Sequence, residues 1–398
     1  MTAIYTITSS LHDSNAVNHL SDQFLSGIFP DGNYLFKGAD FSSFGQEALN
    51  LIYIRTGGAE GIFKSLMPSI AAAARGNFYL LASGESNSLA ASLEILSYLR
   101  ANGMKGEVLH GSHEYIRYRI ELLSAAANAG RALEGGKILV IGKPSDWLIS
   151  STFDSEAIKR RLGVEVEEVP MQELLDYIEA TAEEPAPEVL PMICDIRESY
   201  PGAMRIYSAL KRLCKDRKGT ALTLRCFDLL STVNNTGCLA LAKLNSEGIP
   251  SSCEGDVPAL LTMMISRALT GKSGFQANPA RINVQTGEIL FAHCTIPFDM
   301  VDSYSFHTHF ESGIGVGIRG RVPEGDVTVM KVSGNLSRCF VAEGRLTGCL
   351  GEENLCRTQV QLELSPADAR YFLTDPIGNH HIIVPGAYRA LIEEFLGI

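Results

Sequence analysis

The stretch CEGDVPALLTMMISRALTG, residues 253–271, separates two different patterns in the sequence. Apolar residues recur within it at i, i+3, i+4, i+7, i+8 and i+11, beginning at Val257 and ending at Ala268. This spacing places them on one side of an α-helix, so it predicts a helix with a deeply buried apolar face. The glycine at position 271 is typical of a helix end.

Short apolar segments alternate with helical patterns through the first 270 residues. The apolar segments predict buried strands, and the stretches between them are long enough for crossover helices. Alternation of this kind favours parallel α/β sheets. The predicted strands are Ile4–Thr8, Leu51–Ile54, Phe78–Ala82, Lys137–Ile141, Val164–Val169 and Ala221–Cys226.

The pattern changes after Gly271. Short alternating segments with frequent glycine, among them Gly313, Gly315 and Gly317, predict antiparallel strands. The predicted fold class is therefore α/β, with two Rossmann-like parallel α/β lobes followed by a C-terminal antiparallel β-rich domain. The predicted domains are an N-terminal lobe over residues 1–132, a second lobe over 133–270 and the β-rich domain over 271–398.

The charge balance and the cysteine content narrow the classes of protein to which the chain can belong. The 398 residues include 34 Lys and Arg against 45 Asp and Glu, a formal net charge of −11, which disfavours non-specific binding to nucleic acid. No apolar run approaches the roughly 18 residues of a membrane-spanning helix, and the first residues lack the features of a secretory signal. The nine cysteines include no CxxC pair. We therefore expect reduced thiols, no membrane partner and a cytoplasmic location.

Two carboxylates flank Gly255 at the start of the predicted helix, where they can face a cleft. Asp256 is explained equally well as the N-cap of that helix and as a functional residue. Glutamate is a poor N-cap, so capping explains Glu254 less well and a functional role is favoured for it.

Histidines supply the other candidate ligands. His293 ends an apolar strand, where a hydrogen-bonded core residue is the alternative interpretation. His380 and His381 are adjacent on a predicted strand and point to opposite faces, so at most one of them enters a given site. Glutamate and histidine from separate segments form a ligand set expected for Mn, Fe, Co or Zn. His307 and His309 share one strand face, either as a metal pair or as polar residues facing water.

Two loops follow predicted strands and precede helical patterns. Arg55 begins the glycine-rich segment RTGGAEG, residues 55–61, which can present backbone N–H groups to an anion or a hydroxyl group. Lys143 and Trp147 lie in GKPSDW, residues 142–147, which can line a cleft between lobes. A loop without a ligand remains the alternative for both. The absence of GxSxG and HExxH motifs excludes the corresponding hydrolases and zincins.

Four segments occur in the order and at the approximate separations of a known family: GCLALAKLNSEG (237–248), CEGD (253–256), FAHC (291–294) and GNHH (378–381). They resemble the L-fucose isomerase and L-arabinose isomerase superfamily, and more closely its shorter fucose-isomerase-like branch. The resemblance covers about residues 220–398. The first 200 residues are similar only in the alternation of strands and helices expected for two stacked Rossmann-like lobes.

The resemblance implies an aldose–ketose isomerase that uses a divalent metal, most often Mn²⁺, and acts through a cis-enediol. By position, Glu254 resembles the first carboxylate ligand and base, and His293 resembles a histidine ligand. The C-terminal histidine ligand is His380 or His381, and the Asn-His order favours His380. Asn278 occupies the place of the family's second acid. Its amide can bind a metal but cannot act as a base, so Asp256, Asp228 or Glu311 would have to take that role.

The resemblance also implies a homo-oligomer, a trimer or hexamer with shared active sites. The expected partner is a small sugar, a deoxy, neutral or anionic (phosphorylated or sulfonated) hexose or pentose. The candidate substrate contacts are Arg55, Lys143, Trp147 and His309, with Arg197 as a further candidate for an anionic sugar. The alternative is a non-catalytic sugar-binding or regulatory relative. The retained glutamate and histidines favour the enzyme, because a pure binding protein needs no metal cluster.

Overall fold

The computed structural model describes residues 1–74 and 77–397. The chain divides into two compact units, Met1–Arg131 with Glu394–Ile398, and Ala132–Glu393. Within the described residues, none of the helices combines the length and the apolar character needed to span a bilayer.

The first unit is built around a parallel sheet with the strand order β2-β1-β3-β4-β5. Its strands are β1 (Thr2–Ile7), β2 (Leu35–Gly38), β3 (Leu49–Ile54), β4 (Asn77–Ala82) and β5 (Lys105–Leu109). Its helices are α1 (Ser14–Ile28), α2 (Glu60–Ile70), α3 (Ser88–Ala101) and α4 (His113–Leu133), which continues into the second unit. The central strand β3 is buried along most of its length, as expected for a sheet covered on both faces.

The second unit begins with another parallel sheet, of order β7-β6-β8-β9. Its strands are β6 (Lys137–Ile141), β7 (Glu165–Val169), β8 (Ala221–Leu224) and β9 (Ser251–Cys253). The helices of this part are α5 (Ser155–Leu162), α6 (Met171–Glu179), α7 (Ser199–Arg217), α8 (Asp228–Thr232), α9 (Cys238–Ser246) and α10 (Val257–Thr270). All of the residues from Val257 to Ser266 are buried, so α10 is enclosed on every side and not only along its apolar stripe.

The remainder of the second unit forms a closed antiparallel barrel of order β10-β11-β16-β15-β14-β17, with β12 and β13 as a separate pair. The strands are β10 (Phe275–Asn283), β11 (Glu288–His293), β12 (Ser303–His307), β13 (Gly317–Arg321), β14 (Gly325–Val332), β15 (Cys339–Cys349), β16 (Thr358–Leu364) and β17 (His381–Pro385). The helices are α11 (Pro366–Thr374) and α12 (Arg389–Leu396). Phe275, Phe291 and Ile383 are among the buried residues that form its core.

The predicted fold class is confirmed: two parallel sheets are followed by an antiparallel barrel. The two parallel sheets are separate, and α10 ends at Gly271, which adopts a left-handed conformation with φ of +77°. The three-domain division stays a prediction, since the second compact unit contains both the four-stranded sheet and the barrel. Closure of the barrel was not predicted, because alternation along a strand does not reveal which strands pair at the edges.

The turn between β10 and β11 depends on a glycine. Gly287 has φ of +80°, and a side chain there would collide with the carbonyl oxygen of Leu364, whose own N–H donates to the Gly287 oxygen at 3.0 Å. We predict that Gly287→Ala lowers the free energy of unfolding by about 1–3 kcal/mol, measured by urea denaturation.

The matched control is Gly348→Ala on β15. Gly348 lacks a left-handed φ, and no atom lies within 4 Å of the position that its Cβ would occupy. This variant should change the free energy of unfolding by less than about 0.5 kcal/mol. Equal losses in the two variants would show that the backbone of the β10–β11 turn is not the constraint.

Candidate active site

The connection between β9 and α10 places Glu254 in an unusual backbone conformation. Glu254 has φ of +65° and Gly255 has φ of +72°. A left-handed conformation is uncommon for a residue other than glycine, and it persists where the surroundings hold it. The Glu254 carbonyl accepts a hydrogen bond from the N–H of Ser145 at 2.9 Å, and a Cβ on Gly255 would lie 2.6 Å from the Lys143 oxygen. The 143–147 loop therefore packs directly against the CEGD segment.

Three side chains from separate elements converge on one point. The Oε1 atom of Glu254 lies 3.8 Å from Nε2 of His293 and 3.5 Å from Nε2 of His380. His293 is the last residue of β11, and His380 immediately precedes β17, the strand on the other side of β10. All three side chains are buried, and one potential ligand atom from each lies within 4.8 Å of the others. The fold thus joins three of the residues proposed as metal ligands.

The two carboxylate oxygens of Asp256 contact different parts of the structure. Its Oδ1 accepts a hydrogen bond from the N–H of Ala259 at 2.8 Å, so it is the N-cap of α10. Its Oδ2 lies 2.8 Å from Nδ1 of His380 and 3.5 Å from Nζ of Lys331. Asp256 therefore approaches His380 at the ring nitrogen opposite to the one that faces Glu254. The Asp256 carboxylate is fully buried and occupied by these partners, which favours a positioning role, and the catalytic role of Asp256 stays a prediction.

Lys331 was missed by the sequence analysis. It lies on β14 in the segment VTVMKV and is 1% exposed, with the Asp256 carboxylate as its ion-pair partner. A lysine within an otherwise apolar strand was the available signal, because lysine is almost never fully buried unless it is paired.

The charges of the cluster shift several pKa values. Burial favours the protonated form of Glu254, but the two neighbouring histidines outweigh it and hold the pKa well below its usual range. Burial acts in the same way on Asp256, whose pKa is nevertheless lowered to about 2 by Lys331 and His380. Burial lowers the pKa of His380, yet its hydrogen bonds to Asp256 and Glu254 raise it to about 9. Both carboxylates are therefore ionised at neutral pH.

The donor set fits a divalent cation. Bonds of about 2.1 Å from nitrogen or oxygen to a metal place two ligands of the same ion at most about 4.2 Å apart, and the two distances from Glu254 fall within that limit. The Nε2 atom of His380, which faces Glu254, is buried without a hydrogen-bond partner among the described residues. A carboxylate with two imidazole nitrogens suits Mn, Fe, Co or Zn. The Asp256–His380 pair is the kind of outer contact that orients a histidine ligand.

An aromatic wall lies beside the cluster. The indole N–H of Trp147 donates to Oε2 of Glu254 at 2.6 Å, although Trp147 is 52% exposed. Phe227 contacts Trp147 edge to face at 4.8 Å between ring centroids and His309 at 5.6 Å. Burial, with the nearby His293, lowers the pKa of His309 to about 4. Two predicted substrate contacts, Trp147 and His309, thus lie close to Glu254, and Phe227 joins them without having been predicted.

His381 does not join the cluster, whereas His380, the histidine that the Asn-His order favours, does. The assignment of His380 as a metal ligand stays a prediction. The Nε2 atom of His381 lies 3.1 Å from the hydroxyl oxygen of Tyr371, and its Nδ1 lies 3.2 Å from the Asn379 carbonyl oxygen. Burial lowers its pKa to about 3. The physical reason is the alternation of side chains along a strand, which turns the two neighbours in opposite directions.

Asn278 lies on β10 between the two strands that carry the histidines. It pairs with Ala292, the neighbour of His293, while Ala277 pairs with His381. The Oδ1 atom of Asn278 is buried and has no hydrogen-bond partner among the described residues. Its position is therefore suitable for an amide ligand near the cluster.

The other candidates occupy different surroundings. Arg55 belongs to the first unit, where its guanidinium donates to Ser21 and Asn18. Lys143 meets the CEGD segment through its backbone oxygen. His307 is the last residue of β12, so His309 lies beyond the strand and the predicted shared face does not exist.

No family model matches the chain. A sulfoquinovose isomerase of Clostridium sp. (strain MSTE9) is 26% identical over 204 residues, which cover 47% of this chain and 42% of that protein. Sulfoquinovose isomerases of Priestia aryabhattai and Priestia megaterium (strain ATCC 12872 / QMB1551) are each 23% identical over 250 residues, 59% of this chain and 56% of each relative. The chain thus spans about half the length of the curated relatives that it matches. These distant relatives are named as sugar isomerases, the class that the sequence resemblance implies.

The cluster predicts selective loss of metal binding on substitution. Replacing His293 or His380 with Asn removes an imidazole ligand, and we expect at least about a tenfold loss of affinity for Mn²⁺, measured by calorimetric titration of the EDTA-treated protein. The matched control is His381→Gln, which can retain a hydrogen bond to Tyr371 and should bind Mn²⁺ normally. Loss in His381→Gln, or full affinity in His380→Asn, would contradict the assignment of His380, provided that circular dichroism shows each variant to be folded.

Proposed function

We propose that the protein is a metal-dependent aldose–ketose isomerase. The observation that carries the proposal is the position of Glu254: one carboxylate oxygen faces His293 and His380, and the other accepts a hydrogen bond from Trp147. The names of the distant curated relatives support the same class of reaction. A divalent ion bound by these residues, for which the resemblance favours Mn²⁺, would polarise the two substrate oxygens at C1 and C2 and lower the pKa of the hydroxyl group.

Glu254 is proposed to move the proton between C1 and C2 through a cis-enediol. Its low pKa keeps it ionised near neutral pH, where it can accept a proton but is intrinsically a weak base. The Trp147 N–H fixes the orientation of Oε2 without neutralising the carboxylate. The exposed indole face also offers an apolar surface against which a sugar ring can pack.

A second acid–base group is needed to move the hydroxyl proton, and Glu311 is the proposed residue. Asn278 cannot titrate, Asp256 is committed to His380 and Ala259, and Asp228 is paired with Arg225 at 3.0 Å. Partial burial and the negative charge of Glu254 raise the pKa of Glu311. A carboxyl group with a raised pKa is better suited than an ordinary glutamate to exchange a proton near neutral pH.

The proposed substrate is a sulfonated hexose, on the strength of the curated relatives' names. The test is a set of aldoses supplied with Mn²⁺: sulfoquinovose, glucose 6-phosphate and glucose. We expect conversion of the sulfonated aldose to its ketose, abolished by EDTA and restored by Mn²⁺. Binding of a sugar without turnover would contradict the enzyme and support the non-catalytic alternative.

Glu254→Gln keeps the size of the side chain and removes its charge and basicity. We predict a loss of at least about 10²-fold in turnover, the usual scale for a positioned acid–base group. Mn²⁺ content is measured in the same samples, with assays at saturating Mn²⁺. Near-normal turnover with metal bound would place the base on another residue.

Trp147→Phe tests the orientation of Glu254 in a milder way. Phenylalanine keeps the ring contact with Phe227 and removes the N–H donor, a charge-assisted bond for which about 1.5–3 kcal/mol is typical. We expect turnover to fall by about tenfold or more while Mn²⁺ affinity stays close to that of the unmodified protein. The matched control, Phe227→Leu, alters the aromatic wall but leaves the hydrogen bond in place, and should affect KM more than turnover. Loss of turnover in Phe227→Leu alone would indicate that packing, not the hydrogen bond, governs Glu254.

The assembly is also a proposal: we expect a cytoplasmic homo-oligomer, a trimer or hexamer with shared sites. Sedimentation at micromolar concentration should give a mass well above that of the 43.1 kDa chain. A monomer at that concentration would contradict it.

A further inference from the structure

A separate cavity of about 280 Å³ lies in the second unit, near Asp256 but with a different lining. Three chain segments form its wall, 150–154, 333–338 and 377–378, and Lys331 and Pro258 complete it. Glu254, His293, Trp147 and His309 are not among its lining residues. The metal cluster and this cavity are therefore different places in the fold.

Lys331 lines the cavity with unused hydrogen-bonding capacity. Its ammonium group is buried and makes no hydrogen bond in the described chain, and its ion pair with Asp256 is long, at 3.5 Å. Asp256 already receives two closer partners, Ala259 and His380, each at 2.8 Å. An ammonium group has three N–H donors, and leaving them unmade in a buried position is unfavourable. The lysine is thus better explained with an additional acceptor in the cavity.

Two further donors line the same cavity. The Nη2 atom of Arg338 contacts Asp375, while its Nε and Nη1 atoms make no hydrogen bond within residues 1–74 and 77–397. Ser151 is buried, and its hydroxyl oxygen lies 3.5 Å from the position that a Cβ on Gly378, another lining residue, would occupy. Asp154, the acidic residue of the lining, is turned to the backbone of α5, where its Oδ1 caps the N–H of Ala157 at 3.0 Å.

We propose that this cavity binds a tetrahedral oxyanion, such as an inorganic phosphate or sulfate or a phosphate or sulfonate group on a small metabolite. Lys331 and Arg338 would supply charge-assisted hydrogen bonds and Ser151 a neutral one. Donors from three separate side chains suit an acceptor with oxygens in several directions, and bonds to charged donors are the stronger kind. This inference does not depend on the proposed isomerase activity.

The test is calorimetric titration of the full chain with inorganic sulfate, inorganic phosphate and acetate at constant ionic strength. We expect one saturable site for sulfate and phosphate, with at least tenfold weaker binding of acetate because its carboxylate is planar. The affinity should fall at least tenfold in Arg338→Gln. The matched control is Arg281→Gln, another exposed arginine of the barrel that is paired with a glutamate, Glu352, and it should bind as the unmodified chain does.

Further variants separate this cavity from the metal cluster. Glu254→Gln and EDTA treatment should leave sulfate affinity unchanged, whereas Lys331→Met should abolish binding. Circular dichroism checks the fold of Lys331→Met, and Arg338→Gln decides the matter if that variant does not fold. The absence of saturable binding, an equal loss in Arg281→Gln, or loss of binding with EDTA would overturn the proposal, since the last outcome places the anion on the metal.

Discussion

The carboxylate of Asp256 is the interaction on which the rest of the site depends. One oxygen caps α10 through Ala259, and the other holds His380, which stands at the entrance to β17. A single side chain thus links the helix that follows the second parallel sheet to a strand of the barrel. Because Asp256 lies two residues after Glu254 and holds His380, this link also helps to set the position of His380 relative to Glu254.

Burying so many charged groups carries a large desolvation cost, several kcal/mol for each ion. Before a metal binds, the arrangement offsets this cost by alternating charge: Glu254, His380, Asp256 and Lys331 follow one another as negative, positive, negative and positive groups. A bound metal ion would take the place of the proton on Nε2 of His380. Removal of any one member leaves a neighbour uncompensated. The left-handed backbone of Glu254 is held by a different interaction, the packing of the 143–147 loop against Gly255.

The sequence was most informative where a local pattern and the fold agree. The stripe of α10, the strands that alternate with helices, and the opposite orientation of His380 and His381 all follow from the periods of helices and strands. Glu254 stood out because capping explained it poorly, and its neighbours His293 and His380 came from segments whose order matched a known family. These features depend on short stretches of chain, so a sequence can carry them.

The contacts between distant segments were not predictable in this way. Lys331 reaches Asp256 across 75 residues of sequence, and Phe227 meets Trp147 across 80. The periodicity of a sequence does not indicate which distant residues come into contact. The closure of the barrel could not be predicted for the same reason. Asp256 is an example. The local sequence could not distinguish an N-cap from a functional residue, because Asp256 caps α10 and also holds His380.

Anomalous X-ray scattering from crystals grown with Mn²⁺ shows directly whether Glu254, His293 and His380 hold one metal ion. We expect a manganese peak about 2.2 Å from Oε1 of Glu254 and from the Nε2 atoms of His293 and His380, with Asp256 still bonded to the other ring nitrogen of His380. A manganese peak elsewhere in the chain, or no peak at saturating Mn²⁺, would contradict this expectation.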